Sequence, residues 1–333
     1  MYRRSFLRSG ATAVCIPLGL AATDAFGAPA DAKSPRGSFA VDGNRVRFYS
    51  GAVNKTVRVL VAADTHLFKD DDRGKSYQKF SGRMAGAYNK TEHFRSGEAT
   101  NPEESFVRVL ERAHETNVDL LALVGDIFSF PSEAAIDWVG EKLEDSKLRY
   151  LYVAGNHDWH YEGMPGTLNE LRETWIDKRL KPLYQGNHPL MSYYDVGDIR
   201  FLAIDNSHYQ ILPEQLNFFR SQVKTGKPLV LTVHIPLFAP GRPMGFGCGH
   251  PEWNAKSDRN HELERRPRWP ESGHTQSTFD FHREVFTAPN LLGIFAGHTH
   301  RDSVDVINGI PQFVTDDNAS GAYMELEFLP NAT

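Results

Sequence analysis

The chain has 333 residues, 40% of them hydrophobic and 24% charged, with a mean hydropathy of -0.45. That balance describes a water-soluble globular protein and excludes a disordered or membrane-embedded one. Lysine and arginine number 37 against 42 aspartate and glutamate, a net charge of -5. Neutralising a nucleic-acid backbone is therefore not its main task, and no nucleic-acid partner is expected.

The first thirty residues read as an export signal rather than part of the fold. Arg3, Arg4 and Arg8 give a basic start, an apolar stretch runs from Ala11 to Ala22, and small residues follow from Ala25 to Ala30, the order of a cleaved signal peptide. About twelve apolar residues cannot span a bilayer that needs roughly 20, so no stable membrane anchor is expected. Arg3-Arg4 followed by Phe6-Leu7 looks like the twin-arginine signal, which exports proteins already folded. Cleavage after Gly27 or Ala30 is expected, leaving a periplasmic or extracellular protein. Removing residues 1–30, with Arg3, Arg4, Arg8 and Asp24, takes the net charge from -5 to -7.

Of the two cysteines, Cys15 lies in that signal and only Cys248 remains, so no intramolecular disulfide forms in the mature chain. Six apolar runs have strand length: Val57 to Ala63, Leu120 to Val124, Leu148 to Ala154, Ile199 to Ile204, Leu229 to Val233, and Leu291 to Ala296. They lack strict alternation, as strands buried on both faces do. Helices are predicted over 102–116, where Asn101 is the N-cap and Pro102 takes the first position, and over 132–143 and 168–180. Near the end, Val304 to Ile307, Pro311 to Thr315 and Ala322 to Phe328 alternate cleanly and predict antiparallel strands with turns at Asn308-Gly309 and Ser320-Gly321. The expected architecture is a layered α/β protein, with residues 31–333 forming one domain.

Two long segments break the pattern, 68–100 and 238–282, and loops of that length carry function or are disordered. The second holds Phe246, Trp253 and Trp269, and two readings stay open: an aromatic lid over a substrate, or a flap packed on the core. Cys248, in Gly-Phe-Gly-Cys-Gly-His, reads as a bystander in a flexible loop.

Five of the six runs end in polar, metal-capable groups. Asp64-Thr65-His66 follows the first, Gly125-Asp126 the second, Gly155-Asn156-His157-Asp158 the third, His234 the fifth and Gly297-His298-Thr299-His300 the sixth. In an α/β sheet the carboxyl ends of neighbouring strands converge on one crevice. Carboxylate and imidazole donors without thiolate suit Zn, Fe or Mn, and there are more of them than one tetrahedral ion needs. Two ions are implied, with Asp126 able to bridge them. Two divalent ions outweigh the negative charges of Asp64 and Asp126, so the centre attracts a phosphate anion although the chain is acidic.

This ordered set resembles the signature of the calcineurin-like metallophosphoesterases over residues 64–300. The resemblance implies a four-layer α/β/β/α sandwich of two packed mixed sheets flanked by helices. It further implies Asp64, His66, Asp126 and His300 on one metal, and Asp126, Asn156, His234 and His298 on the other. His157 would contact the phosphate or protonate the leaving group, with Asp158 orienting it, and a metal-bridging hydroxide would be the nucleophile. Small-molecule phosphate mono- or diesters are the implied substrates, with diesters preferred because His157 suits a poor alkoxide leaving group. Purple acid phosphatases are disfavoured, since Ser129 stands where they carry a tyrosine ligand. His160, three residues after His157, and Arg301, directly after the last motif, are further candidates to reach the site. The other histidines, 93, 114, 188, 208, 250, 261, 274 and 282, read mostly as surface residues. The alternatives are a metal-stabilised scaffold of this fold without turnover and a metal-dependent hydrolase acting on something other than phosphate.

Overall fold

The computed structural model describes residues 36–254, 256–257 and 273–331. The expected signal at 1–30 lies outside the described residues, as do His261 and Trp269. Among the described residues no helix is long and apolar enough to cross a membrane.

The strands, in chain order, are β1 (Ser38–Asp42), β2 (Arg45–Ser50), β3 (Val57–Ala62), β4 (Leu120–Val124), β5 (Tyr150–Val153), β6 (Met191–Val196), β7 (Ile199–Ile204), β8 (Leu229–Thr232), β9 (Leu291–Ala296), β10 (Ser303–Ile307), β11 (Ile310–Val314) and β12 (Met324–Pro330). They form two six-stranded mixed sheets, ordered β1-β2-β12-β3-β4-β5 and β10-β11-β9-β8-β7-β6. All six apolar runs are strands, and each sheet has a parallel set: β3, β4 and β5 toward one edge of the first, β7, β8 and β9 within the second.

Alternate residues of each central strand go to different cores. Val57, Val59 and Val61 of β3 face the second sheet with Phe201, Val230, Phe295 and Phe313. Leu60 and Ala62 turn outward to join Phe106 and Val109 of α2 (Pro102–Glu115) and Val139 of α3 (Glu133–Ser146). On the far side, Leu229 and Leu231 pack with Phe219 of α5 (Pro213–Val223) and Phe281 of α6 (Gln276–Val285). The result is the expected four-layer sandwich, its two inner sheets buried on both faces.

The helices start where their caps allow. The Asn101 side chain accepts from the Glu104 N–H at 2.9 Å, with Pro102 next and acidic residues in the first turn. Ser132 caps α3, which runs three residues beyond the predicted end to a left-handed Lys147. A capping box of Thr167 and Glu170 starts α4 (Leu168–Trp175), and the predicted continuation to residue 180 is a π-helical turn.

The C-terminal reading needs one correction. β10 and β11 form the predicted antiparallel hairpin, with Asn308 and Gly309 at φ 50° and 77°. β12 does not continue that sheet. A 3-10 turn at Asn318–Ser320, closed by Gly321 at φ 94°, carries the chain to the first sheet. There β12 runs antiparallel to β3 and parallel to β2. Its alternation explains the switch: Met324, Leu326 and Phe328 enter the inter-sheet core, while Glu325 pairs with Arg45 and with Arg112 of α2, and Glu327 with Arg47.

Phe48 is central to that inter-sheet core, stacked on Phe328 at 4.9 Å and edge-on to Phe295 and Phe313. Phe48→Ala is expected to lower stability by about 3–5 kcal/mol in denaturant unfolding at unchanged m-value. A loss below about 1 kcal/mol would show that these rings do not hold the sheets together.

Candidate metal centre

The loops leaving β3, β4, β5, β8 and β9 meet at one end of the sandwich and are sewn together by their backbones. Asp64 N–H donates to the Gly125 carbonyl and His66 N–H to the Asp126 carbonyl, each at 2.9 Å, and Gly297 N–H to the His234 carbonyl at 3.0 Å. Carboxylates add to this: Asp64 Oδ2 accepts from His298 N–H at 2.8 Å, and Asp126 Oδ1 from His157 N–H at 2.7 Å.

Glycine in the motifs follows from that crowding. A Cβ on Gly125 would stand 2.5 Å from the His234 ring, one on Gly155 2.2 Å from the Asp126 carboxylate, and one on Gly297 2.3 Å from that of Asp64. The functional residues accept strain in return. Asp64, His66, Asp126, His298 and His300 all take left-handed φ, between 50° and 72°, a conformation that costs side-chain-bearing residues energy and concentrates at functional sites.

The side chains converge as two triads, Asp64 with His66 and His300, and Asp126 with His234 and His298, the ligand-capable atoms of each lying within 4.8 Å of one another. In the first, His300 Nε2 stands 3.3 Å from Asp64 Oδ1 and 3.0 Å from His66 Nε2. In the second, His234 Nδ1 donates to the Val124 carbonyl at 3.0 Å, which leaves Nε2 facing Asp126 Oδ2 at 3.1 Å. Asp64 Oδ1, His234 Nε2 and Asn156 Oδ1 are buried with no hydrogen-bond partner. Buried acceptors facing acceptors are unfavourable unless a cation or proton lies between them, so this donor set fits metal ions.

Titration reflects the same pressure. Burial, reinforced by His300 and His157, pushes the His66 imidazole well below its ordinary value. Burial would raise Asp126, but His234 and His157 hold it well below the carboxylate range. For His234 burial is overcome by Asp126, which pushes the imidazole up to about 9.

All nine residues singled out in the motifs lie at this end of the sandwich, but Asp158 has a different task from the expected one. Its carboxylate accepts N–H groups from Gly155 at 2.7 Å, Phe128 at 2.9 Å and Asp126 at 3.1 Å, so it braces the loops. His157 is oriented through Nδ1, which donates to the Ser129 carbonyl at 3.3 Å. Ser129 itself donates to the His66 carbonyl at 2.9 Å.

A cleft of about 310 Å³ opens over the centre, lined by Asp126, Asn156, His157, His298 and His300, with His160 and Glu162 and, from the 68–100 segment, Arg83, Met84, Ala87 and Tyr88. The segment is ordered there: a 3-10 turn leads into α1 (Gln78–Ala87). Tyr88 at its end stacks on His66 at 3.9 Å and stands edge-on to His157 and His300. Arg301 is exposed and outside the cleft lining.

The described part of the 238–282 segment supports the centre from behind. Trp253 is buried and stacks on Tyr209 at 5.2 Å and on His274 at 4.4 Å, the flap reading. The Tyr209 hydroxyl meets His298 Nε2 at 2.5 Å, leaving Nδ1 as the ring nitrogen for the cluster. Cys248 is fully buried, its thiol donating to the Tyr209 carbonyl, not in a flexible loop. His208 and His274 are buried rather than on the surface. Tyr209 had a sequence signal: Asp205-Asn206-Ser207-His208 follows the fourth run, the one strand end left without a motif. Asn206 holds the His234 loop through both the N–H and the carbonyl of Ile235.

The sequence model of the calcineurin-like phosphoesterases matches residues 57–302. The chain belongs to that family, whose members use a dinuclear metal site, and it is a metal-dependent phosphoester hydrolase. It is 29% identical over 109 residues to a probable cyclic nucleotide phosphodiesterase of Moraxella catarrhalis, covering 33% of this chain and 30% of that relative. A second protein so described, from Psychrobacter arcticus, is 22% identical over 228 residues, 66% of this chain and 71% of its own. The fold is shared with a dimetal phosphatase of Danio rerio, at a TM-score of 0.50 and 12% identity over 81% of this chain and 91% of that one.

Two outcomes are expected. Asp126→Ala is expected to abolish binding of both ions, read by elemental analysis, because the family resemblance assigns this carboxylate to both of them; retention of either would break the bridging assignment. Metal must also displace the proton that His234, with a value of about 9, carries at pH 7. Apparent affinity should therefore rise with pH toward 9, with proton release seen by calorimetry in buffers of different ionisation heat. An affinity flat from pH 6 to 9 would contradict this.

Proposed function

We propose that the protein hydrolyses phosphodiesters with a single anionic group, and does so outside the cytoplasm. The observation that carries the reading is one cleft that reaches both triads, with His300 of the first and Asp126 and His298 of the second in its lining beside His157. We assign Asp64, His66, Asp126 and His300 to one ion and Asp126, Asn156, His234 and His298 to the other. Zn, Fe and Mn suit a nitrogen and oxygen set with no thiolate. When bound, such a pair lowers the pKa of water and neutralises phosphoryl oxygens.

The chain's own groups do the rest. The Asp158 carboxylate, holding three amides, fixes the loops that present Asp126 and His157. His157, aligned by Ser129, protonates the leaving oxygen. Tyr209 steadies His298.

Charge supports the diester over the monoester. Apart from the Asp126 carboxylate and the histidines at the centre, the charged side chains lining the cleft are Arg83 and Glu162, and they pair with each other. No additional net positive charge is offered to the second negative charge of a monoester. The two relatives described as probable cyclic nucleotide phosphodiesterases point the same way. Export rests on the order of Arg3-Arg4, the apolar Ala11–Ala22 stretch and the small residues before Ala30.

Protein loaded with Mn²⁺ or Zn²⁺ is expected to release nitrophenol faster from bis(p-nitrophenyl) phosphate than from the monoester, compared as kcat/KM. A preference for the monoester would overturn the diester reading, and no release from either with metal bound would leave only the scaffold. His157→Ala is expected to keep its metal and lose about 10²–10⁴ in kcat; loss of metal would make it a ligand instead. Replacing Arg3 and Arg4 by lysine is expected to retain the protein in the cytoplasm, and unchanged secretion would remove the twin-arginine route.

A further inference from the structure

Arg83, on α1, and Glu162, in the loop after His157, face each other across the cleft lining. Arg83 Nε donates to Glu162 Oε2 at 2.7 Å while a terminal nitrogen of the same guanidinium engages Oε1, a bidentate fork. The Glu162 side chain is 4% exposed and that of Arg83 56% exposed. A buried carboxylate is tolerated only when paired, so the guanidinium is engaged by the protein itself. An arginine at the mouth of a phosphoester site otherwise serves as a bidentate phosphate receptor. Beyond the metal centre the rest of the lining holds no further carboxylate, lysine or arginine: Met84, Ala87, Tyr88, His160 and Thr299.

We propose that the Arg83–Glu162 pair is a specificity determinant: it keeps the outer wall of the cleft electrically neutral and restricts the enzyme to phosphodiesters whose organic part carries no second anionic group. The proposal rests on the phosphodiesterase reading above. A further phosphate on the substrate would lose its water shell against a wall that offers no net positive charge, with a buried carboxylate behind the guanidinium. A neutral organic group instead meets Met84, Ala87 and the ring of Tyr88, in a cleft of about 310 Å³ that has room for one small moiety.

The test uses two substrates that differ by one anion, the p-nitrophenyl ester of thymidine 5′-phosphate and the same ester with an added 3′-phosphate, on metal-loaded full-length protein. The readout is the ratio of their kcat/KM values. Wild type is expected to favour the ester without the 3′-phosphate by about tenfold or more. Glu162→Gln, which leaves Arg83 uncompensated, should narrow or reverse the ratio, and Arg83→Gln, which leaves Glu162 uncompensated, should widen it. The double variant, neutral again, should return toward the wild-type value. Glu162→Gln leaves no unpaired buried charge, so this variant reads out the effect even if Arg83→Gln, which strands the Glu162 carboxylate, fails to fold. A wild-type ratio near one, or a ratio unmoved by Glu162→Gln while both esters are cleaved, would overturn the proposal. Cleavage of neither ester by metal-loaded wild type would overturn the phosphodiesterase reading, and this proposal with it.

Discussion

Buried polar atoms left without partners govern this molecule's functional end. Asp64 Oδ1, Asn156 Oδ1 and His234 Nε2 are cut off from water with no hydrogen-bond partner, an arrangement that is costly unless a cation or proton meets them. The surrounding architecture serves to hold it. Five residues accept left-handed backbone, three glycines give up their side chains to the carboxylates and ring beside them, and Asp158 ties three amides under the centre. The strain is distributed over loops anchored to the parallel sets of the two sheets, where buried strands leave little freedom.

That anchoring explains how far the sequence could be read. Metal-capable residues were visible because each stands immediately after an apolar run, and parallel strands in layered α/β proteins deliver their carboxyl ends to the same edge. Distance along the chain therefore did not matter: His66 and Asp126 are separated by 60 positions and are joined by a backbone hydrogen bond. The role of Asp158 was misread because adjacency to His157 suggests a side-chain pair, whereas the carboxylate turns to the Gly155 amide of its own loop and to the Asp126 and Phe128 amides of the loop after β4. β12 was expected to follow β11 as an antiparallel strand, and it pairs with β2 and β3 instead, because alternation identifies a strand and its buried face but not its neighbours.

What could not be read came from contacts made only in three dimensions. Arg83 and Tyr88 sit in a polar segment without strong periodicity, and nothing local indicates that α1 folds back over His66. Tyr209 reaches His298 from the end of the fourth run, and Trp253 reaches Tyr209 from a segment that resembled a surface loop. The two long insertions thus divide the work: residues 68–100 build the outer wall of the cleft, and the described part of 238–282 packs behind a residue of the centre.

The central claim is that the two triads hold a pair of cations across Asp126. Anomalous scattering from crystals of the metal-loaded protein, recorded at the absorption edge of the added metal, tests this most directly. The account requires two peaks about 3.5–4 Å apart, one beside Asp64, His66 and His300 and the other beside Asn156, His234 and His298. A single peak, or peaks away from Asp126, would contradict it.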